Sequence, residues 1–321
     1  MNILITGASG FVGSNLSNHL FGCGLFLESL DLGQPLTKEL KAIYHWNDLP
    51  FLDITHIDTI IHLAGKAHDT RNTSEAQSYF DINTGLTQKI FDKFLESDSK
   101  KFIFFSSVKA ASDKVIGDLL TEDIIPSPVG PYGESKIKAE QYILKKIDDN
   151  QDKMIGKRVY ILRPCMIHGP GNKGNLNLLY KVVSKGIPWP LGSFDNKRSF
   201  TSIDNLSFVI EKIINLDIES GIYHIGDDDP LSTNQLIGLI SESVGKKSHI
   251  WNIPKWLINL FAKTGDILHL PLNTFRLQKL TENYVVSNAK IKRAIGINKL
   301  PVTASEGMVK TLTSFKTISL Q

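Results

Sequence analysis

The sequence has little that would support a disulfide framework, a secretion signal or a membrane span. Its two cysteines, Cys23 and Cys165, are too few for a disulfide scaffold or a zinc site and are typical of a reducing cytoplasm. The first residues carry no positively charged segment and reach a glycine at Gly7, so no signal peptide is expected. The longest apolar run, around 256–262, ends at Lys263 and is far shorter than the roughly 20 residues that cross a bilayer.

Charge of one sign is also scarce. There are 36 Lys and Arg residues against 33 Asp and Glu residues, which gives a net charge of +3. A balance this close to neutrality gives no reason to expect a nucleic acid or a membrane surface as partner. The histidines form no HExxH motif, and no metal site is predicted.

The pattern of hydrophobic residues predicts an α/β fold in the first half of the 321-residue chain. Apolar runs without polar alternation are separated by amphipathic stretches, which is typical of parallel strands covered by helices on both faces. We therefore predict a doubly wound parallel sheet of the Rossmann type. The predicted strands are 3–5, 27–32, 58–63, 101–105 and 159–162, and the predicted helices are 11–21, 74–95 and 132–147.

After Arg163 and Pro164 the sequence changes character, because glycine and proline cluster there. One apolar run, 221–226, is expected to return to the sheet as a late strand. The chain then divides into a nucleotide-binding domain, residues 1–170 plus about 204–228, and a smaller, mostly helical lobe. That lobe comprises about 171–203 and 229–321. Ligands of such sheets bind beyond the carboxyl ends of the strands, so the expected site is the cleft between the two parts.

A glycine-rich segment follows the first predicted strand directly and opens the first helix. Gly7 permits a tight turn, Gly10 lets backbone approach a pyrophosphate, and Gly13 allows the helix to pack on the strand. The amide groups at the helix start, including those of Phe11 and Val12, would then hold the phosphates with the help of the helix dipole. The segment predicts a dinucleotide site.

Two further segments indicate which dinucleotide is bound. Asp31 ends the second strand, where a carboxylate can accept hydrogen bonds from an adenosine ribose and would repel a 2′-phosphate. NAD is therefore favoured over NADP, although Asp31 could also be an ordinary loop residue. The next strand ends in Leu63, Ala64 and Gly65, whose small side chains after the leucine would let backbone lie against the cofactor.

A tyrosine and a lysine lie four residues apart in the long helix after the fifth strand. Tyr132 and Lys136 therefore share one helix face. A free tyrosine has a pKa of about 10, too high for a base at neutral pH. We expect the Lys136 ammonium and the oxidised nicotinamide to favour the phenolate; a lowering by about 3 units needs about 4 kcal/mol.

A hydroxyl partner for Tyr132 is expected at the end of the strand 101–105. Ser106 and Ser107 both follow that strand. Ser107 is the preferred candidate for hydrogen-bonding the reacting sugar oxygen and guiding the proton to or from Tyr132, and Ser106 is its competitor.

Taken together and in order, these segments resemble the extended short-chain dehydrogenase/reductase family, in its NAD-dependent epimerase/dehydratase branch. The separation of 25 residues between Ser107 and Tyr132 is similar to that of UDP-galactose 4-epimerases, and the resemblance extends over essentially the whole chain. The residues that carry it are Gly7, Gly10, Gly13, Leu63, Ala64, Gly65, Asn83, Ser107, Tyr132 and Lys136.

The resemblance implies further site residues and a substrate class. Asn83 would contact the cofactor. Asn175 and Arg198 would hold the diphosphate of a nucleotide sugar, with Lys279 assisting; an ordinary surface residue is the alternative for all three. The implied substrate is a UDP-sugar, with N-acetylhexosamines of surface polysaccharides as the expected class. Paired helices beside the sheet often form dimers in this family, so a homodimer is expected.

Departures from the family pattern narrow the chemistry. The Asp-Glu pair that dehydratases carry after the catalytic hydroxyl is replaced by Val108 and Lys109, so 4,6-dehydration is not expected. The family's usual Val-Tyr-Gly after the catalytic serine is replaced by Lys109, Ala110 and Ala111, and Lys109 is expected to contact the substrate. His168 also replaces a tyrosine and is interpreted as a packing or substrate-contact residue rather than a base.

The sequence therefore predicts a cytoplasmic NAD-dependent enzyme acting at C4 of a UDP-hexose or UDP-N-acetylhexosamine, with 4-epimerisation as the first hypothesis. One alternative is an NAD(P)H-dependent 4-ketoreductase that forms a UDP-6-deoxy-N-acetylhexosamine. The other is a non-catalytic dinucleotide-binding regulator, since the fold alone does not decide function.

Overall fold

A seven-stranded sheet of parallel strands forms the centre of the molecule. The computed structural model describes residues 1–33, 40–67, 75–172, 174–268 and 273–318. In the sheet the strands follow the order β3-β2-β1-β4-β5-β6-β9. Their bounds are β1 Asn2–Thr6, β2 Phe26–Asp31, β3 Leu40–His45, β4 Thr59–His62, β5 Lys101–Phe105, β6 Arg158–Pro164 and β9 Gly221–Ile225.

Alternate side chains of each strand enter separate hydrophobic cores on the two faces of the sheet. In β1, Ile3 and Ile5 pack into one core, whereas Leu4 packs into the other. This arrangement confirms the predicted doubly wound sheet, in which strands are apolar on both faces. The helices of this part are α1 Phe11–Gly22, α2 Ala76–Tyr79, α3 Leu86–Glu96, α4 Val108–Ala111, α5 Gly130–Asp149, α7 Ile203–Asn215 and α11 Ala289–Ala294.

The strand order of the sheet reverses between β1 and β4, and the position of this reversal determines where the ligand cleft is expected. β1 pairs with β2 on one side and with β4 on the other, each in parallel register. The carboxyl ends of β1, β4 and β5 therefore lie at one edge of the sheet beside the switch point, where open α/β sheets bind ligands.

Some elements differ from the sequence-based expectation. β3 was not predicted, because most of its residues are only partly buried and its pattern is mixed. The single helix expected over 74–95 is divided into α2, a wide turn over Phe80–Gly85 and α3. Its expected first residue, Ser74, lies outside the described residues. The late strand expected at 221–226 is present as β9, which pairs with β6.

The smaller part of the structure is mostly helical and has its own apolar core. Leu176, Ile240 and Met308 lie in that core, which joins three helices that are far apart in sequence. A short parallel pair, β7 Met166–His168 and β8 Phe200–Ser202, connects it to the main sheet region. Its helices are α6 Asn175–Ser184, α8 Thr233–Ser243, α9 Lys255–Leu268, α10 Thr274–Thr281 and α12 Ala304–Ile318.

Candidate active site

The turn between β1 and α1 has the geometry that the glycine pattern predicts. Gly7 has φ +78°, and a Cβ on it would lie 2.8 Å from the backbone nitrogen of Ala64. A Cβ on Gly13 would lie 2.3 Å from the carbonyl oxygen of Gly7. α1 begins after Gly10 with no side-chain cap, so the amides of its first turn, from Phe11 onward, point out of the helix. These features fit a bound pyrophosphate.

Asp31 lies at the end of β2 and is tied to this turn. Its carboxylate accepts hydrogen bonds from the backbone nitrogen and the hydroxyl of Ser9, both at 2.7 Å, and from the Leu32 nitrogen at 2.7 Å. Asp31 therefore braces the glycine turn, a role that sequence reasoning missed together with Ser9. The ribose contact stays a prediction, and the position of Asp31 beside the turn is compatible with it.

The third cofactor-facing segment brings Gly65, Asn83 and Lys136 together. A Cβ on Gly65 would lie 2.9 Å from Asn83 Oδ1 and 3.0 Å from Lys136 Nζ. Asn83 is fully buried and its amide donates to Ser135 Oγ at 2.9 Å. Its side-chain oxygen also accepts from the Lys66 nitrogen at 2.7 Å. The backbone after β4 thus lies directly against the predicted lysine, and a side chain at position 65 would collide with it.

Three consecutive residues at the end of β5 are each bonded to α5. The carbonyl oxygen of Phe105 accepts a hydrogen bond from Lys136 Nζ at 2.7 Å. The Ser106 hydroxyl donates to Glu140 Oε1, and the Ser107 hydroxyl is hydrogen-bonded to Tyr132. The helix partners are spaced four residues apart, so they share one face. We call this set of three contacts the β5–α5 ladder.

The ladder separates the two candidate serines. Ser106 points to Glu140, whose carboxylate also receives Arg163 Nε at 2.9 Å and Nη2 at 2.5 Å. Both members of that ion pair are almost fully buried. Ser107 is the serine beside Tyr132, in agreement with the preferred assignment. Sequence reasoning missed Glu140 and Arg163, although Glu140 continues the four-residue spacing of Tyr132 and Lys136.

Burial dominates the electrostatics of the pair. It lowers the pKa of Lys136 to about 8, and the nearby Glu140 carboxylate opposes that change. Burial also raises the pKa of Tyr132, while its hydrogen bond to Ser107 acts in the opposite direction. Among the protein groups, desolvation of the phenol is the larger effect. The expected lowering of the Tyr132 pKa depends also on the oxidised nicotinamide, and it stays a prediction.

Where α4 meets the smaller part, three of the five predicted substrate residues are brought together. Asp113 receives Lys109 Nζ at 3.1 Å and Lys279 Nζ at 2.7 Å. Arg198 Nη1 donates to the Lys279 carbonyl oxygen at 3.1 Å. We call Lys109, Arg198 and Lys279 the cation group. Asn175 is exposed at the start of α6 and makes no contact with this group among the described hydrogen bonds.

Two residues that organise the cation group were not predicted. Asp113 bridges two of its members, and the ring of Tyr284 lies 4.4 Å from Lys109 Nζ. The Tyr284 hydroxyl donates to the Ser112 carbonyl oxygen at 2.7 Å, which fixes the segment after α4. Neither residue belongs to a recognisable motif, so no sequence signal could have found them.

His168 is buried, and its Nδ1 lies 2.9 Å from the Thr311 hydroxyl oxygen. Its Nε2 lies 3.6 Å from Asp227 Oδ2. The residue therefore packs between β7 and α12, which favours the packing interpretation.

Another histidine contributes to a group of three potential metal ligands, His19, Cys23 and Glu211. His19 and Cys23 are four residues apart at the end of α1, a spacing that sequence reasoning overlooked. The absence of a metal site stays a prediction. Within the described part of the chain, no helix is both long and apolar enough to span a membrane.

A doubly wound sheet with an open glycine turn, and a tyrosine and lysine at the carboxyl end of β5, defines a dinucleotide-dependent oxidoreductase of the extended short-chain type. Residues 3–226 match the model of the NAD dependent epimerase/dehydratase family. The chain belongs to that family and uses NAD.

Relatives and solved structures are similar along nearly the whole chain. A UDP-glucose 4-epimerase of Vibrio cholerae is 28% identical over 327 residues, covering 98% of this chain and 95% of that protein. An N-acetyl-α-D-glucosaminyl-diphospho-ditrans,octacis-undecaprenol 4-epimerase of Escherichia coli O157:H7 is 27% identical, covering 97% and 94%. A UDP-glucuronic acid 4-epimerase of Bacillus cereus solved with NAD has a TM-score of 0.74 at 20% identity, covering 98% and 96%.

Proposed function

We propose that the chain interconverts the C4 epimers of a UDP-hexose or UDP-N-acetylhexosamine, in the cytoplasm and for surface polysaccharide synthesis. The observation that carries the proposal is the β5–α5 ladder. It places the Tyr132 hydroxyl against Ser107 at the carboxyl end of β5, while Lys136 lies against Gly65 on the cofactor side.

In this proposal Tyr132 and Ser107 handle the proton of the sugar. The C4 hydroxyl gives its proton to the Tyr132 phenolate as the C4–H bond breaks, and Ser107 holds the C4 oxygen. Bound NAD supplies the acceptor for the hydride and later its donor. When the sugar carbonyl is reduced from the opposite face, Tyr132 returns the proton to the oxygen, so no external reductant is consumed.

The cation group would hold the substrate while the sugar turns. Arg198 can bind two phosphate oxygens through its planar guanidinium, and Lys279 adds a second cation next to it. Burial lowers the pKa of Lys109, the cation that belongs to the segment following Ser107. Anchoring the diphosphate at a distance from the reacting carbon provides binding energy that does not depend on the orientation of the sugar.

A sugar diphosphate carried on a polyprenol is a second candidate substrate. The Escherichia coli O157:H7 relative is, by its name, an epimerase of such a compound. The exposed ring of Phe275 lies 5.9 Å from Lys279 Nζ, so an apolar surface adjoins the cation group. A lipid beyond the diphosphate would find that surface.

The test is incubation of the purified full-length chain with UDP-N-acetylglucosamine, with UDP-glucose and with the polyprenol-linked N-acetylglucosamine. We expect the C4 epimer of at least one substrate without added reductant, and none with the Tyr132→Phe variant. Stoichiometric loss of NADH with a 4-keto UDP-sugar, and no epimer, would favour the ketoreductase. No turnover and no binding of any of these substrates would leave the non-catalytic regulator as the better hypothesis.

The oligomeric state is tested separately, since the same proposal includes a homodimer formed by helices beside the sheet. Light scattering of the purified chain at micromolar concentration would give about twice the mass of the monomer.

A further inference from the structure

Two helices of the smaller part carry a large apolar surface on the outside of the molecule. Six large side chains of α9 and α10 are between 54% and 77% exposed. Single exposed apolar residues are common, but six of them on two helices that share a small core indicate an interaction site. We call it the α9–α10 apolar surface, and its members are Trp256, Leu260, Phe261, Ile267, Leu268 and Phe275.

The sequence of α9 produces two apolar faces, of which the fold buries only one. Ile258 and Ala262 are buried in a small core with Leu191 and Leu277. On the exposed side, Trp256, Leu260 and Ile267 follow at spacings of four and seven residues, which places them in one stripe along the helix. Phe261 and Leu268, also seven apart, lie alongside that stripe. The residues of the exposed stripe are therefore not the ones that pack the helix on its core, and packing does not explain why they are apolar.

The charge of this region differs from that of the rest of the chain. Residues 255–281 contain four basic residues and one acidic residue, Asp266, so the remaining residues hold equal numbers of each sign. The whole net charge of +3 therefore originates here. Asp266 also accepts a hydrogen bond from the Thr274 nitrogen at 3.1 Å, so its carboxylate is engaged locally. Lys263 lies at the edge of the apolar stripe, seven residues after Trp256, and Lys255 lies farther round the helix on the same side; both are exposed.

We propose that the α9–α10 apolar surface docks on a lipid bilayer with anionic headgroups. An aromatic and aliphatic stripe flanked by lysines is the pattern of helices that lie in the plane of the membrane interface. Tryptophan is stable at that level because its ring is both apolar and polar. A protein partner is disfavoured by the lysines, which are depleted in protein interfaces. The docked surface adjoins the cation group through Phe275 and Lys279, so the cleft would open near the membrane.

Vesicle co-sedimentation of the full-length chain tests this proposal without any substrate or turnover. We expect binding to vesicles of phosphatidylcholine and phosphatidylglycerol at 3:1, binding at least about tenfold weaker to pure phosphatidylcholine, and weakening by added salt. Vesicles with brominated acyl chains should quench tryptophan fluorescence, and this quenching should be reduced in Trp256→Ser.

A double variant, Trp256→Ser with Phe261→Ser, should lose at least about tenfold in vesicle binding. Its matched control is Phe51→Ser, which removes an aromatic ring that is also exposed but lies beside β3. Circular dichroism melting should show both variants folded. Absence of binding to the anionic vesicles, or an equal loss in Phe51→Ser, would overturn the proposal. So would a double variant that only converts a dimer to a monomer in light scattering, which would assign the surface to a second copy of the chain.

Discussion

The two sides of the cleft hold their polar groups in different ways. On the sheet side, the ladder residues are bound to backbone or to a buried ion pair, and Lys136 and Glu140 are almost inaccessible to solvent. On the lobe side, Lys279 reaches the carboxylate of Asp113, which follows α4 and also binds Lys109, and both lysines are partly exposed. The buried ladder contacts are formed before any ligand arrives. In the partly exposed ion pairs, a phosphate of the substrate can replace the Asp113 carboxylate as the partner of the lysines.

From this comparison we expect substitutions on the two sides to impair different properties of the enzyme. Loss of a preorganised group on the sheet side should affect the rate of the chemical step. Loss of an exchangeable cation on the lobe side should affect substrate binding.

The largest effect is expected for Tyr132→Phe. Removal of the proton-transferring hydroxyl should lower kcat by about 10²- to 10⁴-fold with little change in NAD affinity. Steady-state kinetics and calorimetric NAD titration measure the two quantities. An unchanged kcat would show that another group transfers the proton.

Next, Arg198→Ala should raise KM for the nucleotide sugar by about 10- to 100-fold, because hydrogen bonds to a charged group contribute about 1.5–3 kcal/mol. kcat should change little. Asn175→Ala, which is exposed and apart from the cation group, should change KM by less than about threefold. Equal effects of the two substitutions would contradict the structural division between them.

Glu140→Gln tests whether the ladder acts on the chemistry. Glu140 raises the pKa of Lys136, so without it that pKa should fall below about 8. If the reaction needs the ammonium, activity is lost as the pH rises through this pKa. The alkaline limb of the kcat profile should therefore move to lower pH, and kcat at pH 8 should fall by roughly tenfold.

The other charged or titratable groups near Lys136 are His62 on β4, Tyr132 on its own helix and Arg163 behind Glu140. Burial lowers the pKa of His62 to about 3, so it stays neutral in this range. The matched control is Glu28→Gln. Glu28 is a buried glutamate on β2 that is paired with His56. It should lower the melting temperature without moving the limb.

Ser106→Ala provides a variant that keeps the buried ion pair, for the case in which Glu140→Gln does not fold. Loss of the Ser106–Glu140 hydrogen bond should lower kcat. The alkaline limb of the kcat–pH profile should not move, since no charge is removed. Ser99→Ala is its control, because Ser99 is a buried serine that precedes the other end of β5 and donates to the Ile57 carbonyl oxygen at 2.8 Å. A limb that moves in Ser106→Ala, or an equal kcat loss in Ser99→Ala, would show that the ladder has no specific role.

The smallest effect is expected for Asp113→Asn. Release of Lys109 and Lys279 from this carboxylate should lower KM by about two- to fivefold, since partly exposed ion pairs contribute about 0.2–1 kcal/mol. Added salt should diminish the difference between the variant and the wild type. An increase in KM would mean that Asp113 holds the cations in their binding positions.

The sheet side could be predicted well from sequence because its constraints are local. Six of the seven strands of the sheet were predicted from short runs in the sequence, and the glycine turn and the Tyr132–Lys136 spacing occur within single segments. β3 escaped prediction because its exposure gives it no clear period. Sequence favoured Ser107 but kept Ser106 as its competitor, since only the placement of α5 against β5 shows which serine faces Tyr132.

The lobe side was harder to predict because its contacts join segments far apart in the chain. Asp113 and Lys279 are 166 residues apart, and no local pattern links them. The burial of the Tyr132 phenol, which raises its pKa, could not be foreseen either, because it depends on tertiary packing. The excess of basic residues in 255–281 was also overlooked, because the net charge of a chain does not show where along the sequence the charges lie.

The β5–α5 ladder has a consequence for how this chain can change over generations. The contacts are made by the carbonyl of Phe105 and by the side chains of Ser106 and Ser107, so one residue inserted after Phe105 would shift Ser106 to the position that faces Tyr132. Many single replacements could be absorbed around this strand end, but a frame-preserving insertion of one codon there would send the wrong hydroxyl to Tyr132. The length of this junction should therefore be far less variable among functional descendants than its composition.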